Sequence, residues 1–194
     1  MTELPTIRPV AAHFAEEALP VARAHPEEID LLLSCLRTSQ RLAYERGDIK
    51  EGERFAREAL AIAQQFSVES HPRIPEILHD LARQKLDEGQ LEEADQLARR
   101  AVELHRASQG PRHTEMAWSI DVLGRVEMAL GKYADAEAHF RESLAIFAET
   151  FDRYFGIDMT LQRSQRLLEA QGKAHEFTKL LKEYGPKMRG IPGT

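Results

Sequence analysis

Apolar side chains recur at spacings of three and four through most of the chain, the period of helices that bury one stripe. The clearest runs flank four glycines, Gly47, Gly89, Gly131 and Gly172, which stand 42, 42 and 41 residues apart. Eleven residues before each glycine stand Leu36, Leu78, Ile120 and Leu161; two after come Ile49, Leu91, Tyr133 and Ala174, and five after come Gly52, Ala94, Ala136 and Phe177. A fixed period of this length marks a structural repeat. Each unit reads as helix, turn, helix, with the glycine closing the first helix in a left-handed conformation that a Cβ would penalise. Small residues on both sides of the turn, Ala82 and Gly124 before and Ala94 and Ala136 after, predict a close crossing of the two helices in a hairpin. The pattern predicts helices near 9–23, 27–46, 49–66, 74–88, 91–107, 115–130, 133–149, 157–171 and 174–184.

A cruder echo lies upstream, where Phe14–Ala22 parallels Phe55–Ala63 forty-one residues on. The chain is therefore expected to open on the second helix of an incomplete unit, and Pro20 to bend or end that helix, since its ring removes a backbone donor and clashes with the preceding turn. The predicted organisation is an extended segment over 1–8, an unpaired helix over 9–24, four helix pairs over 25–184 and a mobile Gly- and Pro-rich tail over 185–194.

These residues resemble the tetratricopeptide family, in the 42-residue form found in kinesin light chains and many bacterial proteins. The nearest stretch runs from His71-Pro72 to His113, with Gln90-Leu91-Glu92-Glu93-Ala94 after the glycine and Gly110-Pro111-Arg112-His113 closing the unit. A second runs from His113-Thr114 to Lys132-Tyr133-Ala134-Asp135-Ala136, and both His-to-Gly intervals are 18 residues. The resemblance spans residues 27 to 184. It implies an all-α fold, a right-handed α-solenoid of helix hairpins, and a function in binding protein or peptide. Kinesin light chains place asparagines nine residues before the glycine, where Thr38, Asp80, Val122 and Arg163 stand here, so kinesin-like cargo recognition does not carry over.

Composition narrows the function classes. Of 194 residues, 42% are apolar and 30% charged, enough for a core and a polar surface. The formal charge is −6, from 26 basic and 32 acidic side chains, and this sign repels polyphosphate at long range. Residues 160–194 carry a local +4 and residues 1–159 therefore −10. An RNA-reading helical repeat conflicts with that acidic body, and no nucleic acid is expected as partner. Cys35, alone among leucines, reads as a small buried hydrophobe. The start lacks a basic and apolar leader, and no run approaches the roughly 18 apolar residues of a membrane span. The expectation is a soluble, cytoplasmic chain with no membrane contact.

Catalytic patterns are missing. Gly124 to Gly131-Lys132 has too long a gap for a phosphate loop and continues in Tyr133. The eight histidines show no His-Glu-x-x-His spacing and no Cys-x-x-Cys exists, so no metal or cofactor is expected. No nucleophile elbow occurs, and the chain reads as a non-enzyme.

One pattern points to binding. Six residues before the glycines stand Arg41, Arg83, Arg125 and Arg166, one per unit, and four residues earlier stand Arg37, His79, Asp121 and Gln162. Trp118 lies three residues before Asp121, on the same helical face, because offsets of three, four and seven coincide. It is two residues from the core position Ile120, about 200° around the helix, and is expected to face a groove rather than the core. These nine residues are the candidate peptide-binding groove of a protein-interaction adaptor, lined by first helices, and arginines beside a Trp suit an acidic or carboxylate-bearing peptide with an apolar residue. Bland roles exist beside this. Asp121 can pair with Arg125, Glu169 lies near Arg166, and His79 reads as a solvated helix residue. The alternative function is a structural assembly element that self-associates, as a homodimer, through terminal helices carrying Phe14, Leu19 and Val21.

Overall fold

A computed structural model describes residues 17–108, 114–150 and 153–188. Helical residues 17–24 form α1, followed by α2 (Ile29–Glu45), α3 (Ile49–Gln65), α4 (Arg73–Asp87), α5 (Leu91–Ser108), α6 (Thr114–Ala129), α7 (Tyr133–Phe147), α8 (Arg153–Ala170) and α9 (Ala174–Met188). No strand occurs among the described residues.

The repeat glycines end the first helix of each pair. Gly47, Gly89, Gly131 and Gly172 have φ of 81°, 76°, 74° and 69°. The residue after each donates its N–H to the carbonyl five positions back: Asp48 to Ala43, Gln90 to Lys85, Lys132 to Glu127 and Lys173 to Leu168, at 2.7 to 2.9 Å. This closes each helix on its own last carbonyls and reverses the chain into the second helix at once. The hairpins α2–α3, α4–α5, α6–α7 and α8–α9 then stack, each packing on the next, and the first helices α2, α4, α6 and α8 also touch in series.

Packing follows the repeat columns. Leu36, Leu78, Ile120 and Leu161 are all at most 4% exposed. Ala82, Ala94 and Ala136 are fully buried, and a Cβ on Gly124 would lie 2.8 Å from the Phe140 ring. Two large buried clusters result, one running from Leu19 to Ala101 and the other from Ala82 to Tyr184; Leu97 of α5 packs against both. Cys35 is buried, and burial pushes its thiol pKa up.

The helix that contains Pro20 runs to residue 24, with Leu19 and Ala22 on either side of the proline buried in the first cluster and Arg23 bonded to Glu58 of α3 at 2.6 and 2.8 Å, so the proline does not end it. Two expected bounds need correction. First, α8 starts at Arg153 rather than 157, because Gly156 takes a place where any Cβ would lie 2.3 Å from the Phe147 ring. Finally, α9 runs to Met188 rather than 184: Tyr184 is buried and Met188 packs on the core, so the helix gains contacts by continuing through Gly185 and Pro186. The expectations for residues 1–8, Phe14, Gly110–His113 and 189–194 lie outside the described residues.

Candidate interaction groove

The side chains facing away from the hairpin crossings of α2, α4, α6 and α8 enclose two adjoining hollows of about 340 and 440 Å³. Arg37, Arg41, His79, Arg83, Trp118, Asp121 and Arg125 line the first, and Arg125, Gln162 and Arg166 line the second. Arg125, Met159 and Arg163 line both, so the two hollows form one groove. All nine residues singled out in the sequence are thus brought together, but they are not equivalent.

Some are committed to the protein itself. Arg37 donates to Glu76 at 2.7 Å and to Asp80 at 3.1 Å across the α2–α4 boundary, and a further oxygen, of Glu115, lies at 3.7 Å. Asp121 is 1% exposed and accepts from the Thr160 hydroxyl at 2.9 Å and from Arg163 of α8. It is a strut between first helices rather than a ligand contact, and it is not hydrogen-bonded to Arg125. Gln162 donates to Asp158 of its own helix at 2.8 Å, and Glu169 receives a bond from Gln165 instead of pairing with Arg166. Trp118 is half-buried: its ring meets Phe147 edge-on at 4.6 Å between centroids and Phe155 at 5.7 Å. It therefore reaches both core and groove, because the end of α7 and the start of α8 wrap around the position that an isolated helix would expose.

Others are available. Arg41 and Arg166 are exposed, with no ion pair among the described residues. Arg83 lies over the Tyr44 ring at 4.9 Å, with Asp80 3.7 Å away, and its buried Nε has no acceptor. Arg125 reaches Asp87 at 3.3 Å; burial and then the nearby Arg163 guanidinium pull its pKa down. The Tyr44 hydroxyl donates to the other oxygen of Asp87, and burial, then that carboxylate, push the phenol pKa up. His79 is only 11% exposed, contrary to the expectation of a solvated residue; burial drives its pKa to about 4, and its Nδ1 has no partner.

The groove lining holds six arginines, 37, 41, 83, 125, 163 and 166, against four carboxylates, Asp80, Asp87, Glu115 and Asp121. It is two charges positive on a chain of −6, which leaves −8 elsewhere. An apolar corner formed by Trp118, Phe155 and Met159 sits within it, and Phe155 is 56% exposed.

Residues 73–149 match the model of the tetratricopeptide repeat family. The match spans the two inner hairpins, α4–α5 and α6–α7. The whole chain shares its fold with solved helical-repeat proteins. It resembles BtubC (BKLC) from P. vanneervenii at a TM-score of 0.76 and 15% identity, over 100% of this chain and 94% of that one. It also resembles a Podosopora anserina putative kinesin light chain with nearly identical TPR-like repeats, at a TM-score of 0.66 and 18% identity over 100% of both chains. A variant form of that protein gives 0.67 and 19% over 93% of this chain and 92% of that one. No curated protein matches the chain in sequence.

Within this helical array, the spacing of the sequence did not mark Asp80, Asp87, Glu115, Phe155 and Arg163 for the groove, whereas Glu76 and Met159 share the helical face of Trp118. A signal for several of them existed. Arg37 meets Asp80 43 residues on, Tyr44 meets Asp87 43 residues on, and Asp121 meets Arg163 42 residues on. Each separation is the local repeat period plus one. Adjacent first helices therefore face each other one residue out of register, and complementary side chains at that offset mark a strut.

Proposed function

We propose that the array is a non-catalytic cytoplasmic adaptor that holds an extended acidic segment of a partner protein in the groove between its first helices. The observation that carries this reading is the sign of the lining. A two-charge cationic groove on a chain carrying −8 elsewhere concentrates the field where an anionic segment would lie. Polyphosphate is disfavoured, since a nucleic acid would also have to approach the acidic remainder. The buried, acceptorless Nε of Arg83 supports a carboxylate ligand, because an unmet donor in a part-buried site is costly until an acceptor arrives. Trp118, Phe155 and Met159 supply a place for one apolar side chain, in the manner of an interface anchor.

The reading is tested with a labelled peptide of Asp and Glu residues around one Phe, beside the same peptide with Lys for every acid. The acidic peptide binds and the basic one does not. Arg83→Ala, Arg125→Ala and Trp118→Ala, each made separately and each checked by melting, weaken binding by at least about tenfold. Retention of full binding by all three would move the site off the groove.

A further inference from the structure

The groove arginines differ in what already holds them, and this ranks them as ligand contacts. Arg37 and Arg163 are tied to carboxylates that are themselves buried, Glu76 and Asp80 for the first and Asp121 for the second. Displacing those would leave an uncompensated buried charge. Arg41 and Arg166 stand in solvent, where an ion pair is weak. Arg125 lies between these extremes. It lines both hollows and is half-buried, and it uses one N–H toward a single acceptor, Asp87, at 3.3 Å. Asp87 is itself 42% exposed and is shared with the Tyr44 hydroxyl, so its hold on Arg125 is partial.

Resting on the groove reading, we propose that Arg125 is the anchor for a carboxylate of the bound segment and that Asp87, with Tyr44, sets how strongly the groove accepts it. Asp87 occupies one donor of Arg125 and repels an incoming anion, whereas the Tyr44 hydroxyl donates to the other oxygen of Asp87 and draws part of the carboxylate's charge away from Arg125. The remaining N–H groups of the Arg125 fork have no acceptor among the described residues and can take a carboxylate in a two-pronged geometry. Its neighbours Arg83 and Arg163 crowd it with like charge, which an anion would relieve. The groove then discriminates by charge: a neutral segment gains nothing at Arg125, and a weakly acidic one must compete with Asp87.

The arrangement makes substitutions of opposite sign. With the acidic Phe-containing peptide as probe, Asp87→Asn tightens binding by about fivefold, the scale of one exposed ion pair removed. Tyr44→Phe leaves the full charge of Asp87 to Arg125 and weakens binding by a similar factor. Arg125→Ala lowers affinity by more than either Arg41→Ala or Arg166→Ala, and Arg125→Lys, which keeps the charge but loses the planar fork, falls between parent and Ala even if the Ala form melts early. A probe with Asn and Gln for its acids is insensitive to Asp87→Asn. If Asp87→Asn binds the acidic probe no better than the parent, or Arg125→Ala loses no more than the two exposed arginine variants, the assignment of Arg125 and Asp87 is overturned while the groove reading stands. Indifference to every groove substitution, including Trp118→Ala, overturns both.

Discussion

At pH 7 the imidazole of His79 is neutral, because burial drives its pKa to about 4 and the nearby Asp80 only partly offsets this. The ordinary value of 6.5 returns when the chain unfolds. Between those two values the unfolded state binds a proton that the folded state refuses, so the folded state loses stability as pH falls through the window from about 6.5 to 4. The limiting slope for one group is about 1.4 kcal/mol per pH unit. Denaturant unfolding of the parent and of His79→Gln should therefore diverge, the parent losing up to about that much more per unit on acidification. Parallel curves between about pH 7 and pH 5 would show that the ring is not held neutral. The sequence supports the column that contains His79 but not this property. The ring's surroundings include Arg37 of α2 and His105 of α5, and nothing in the spacing of α4 itself reports them.

At the scale of helices, two glycines that look alike in the sequence do different work. Gly131 has φ of 74° and open space where a Cβ would go, so Gly131→Ala costs only backbone strain, about 1 kcal/mol. Gly124 has an ordinary helical backbone, but the Phe140 ring stands 2.8 Å from its missing Cβ. Gly124→Leu must push α6 and α7 apart and costs about 1 to 3 kcal/mol or more by overpacking. Chemical denaturation separates the two, and an unchanged midpoint for Gly124→Leu would contradict the crossing described. Helix positions were legible because the turn glycine is the one residue the reversal demands, and it repeats. The ends that escaped, the start of α8 and the end of α9, contain Gly156, Gly185 and Pro186, residues of low helix propensity. Packing against Phe147 and burial of Tyr184 outweigh that propensity, and neither contact is visible within a single helix. The arginine ladder was legible for the same reason as the turns. Its carboxylate partners were not, since pairing at i,i+4 is the only rule a lone helix offers, and the struts join residues one repeat period plus one apart.

Across the whole molecule, the two large buried clusters overlap only in the second hairpin. α4 and α5 contribute Ile74, Ile77, Leu78, Leu81 and Ala101 to one and Ala82, Ala94, Ala98 and Val102 to the other, with Leu97 touching both. Hairpins at either end have a neighbouring hairpin on one side, whereas α4–α5 and α6–α7 are each clamped on two, and in a stacked array stability follows the number of such interfaces. Tension brings out what equilibrium unfolding averages away. Pulled from its two ends in an optical trap, the chain should lengthen from the outside inward, shedding terminal helix pairs at low force and releasing the inner hairpins α4–α5 and α6–α7 last. A rupture that begins in the middle would contradict this order. A load applied along the groove would therefore fall on the struts Arg37–Asp80 and Asp121–Arg163 in shear, along the line of first helices, while the two doubly clamped hairpins α4–α5 and α6–α7 hold still between the moving ends.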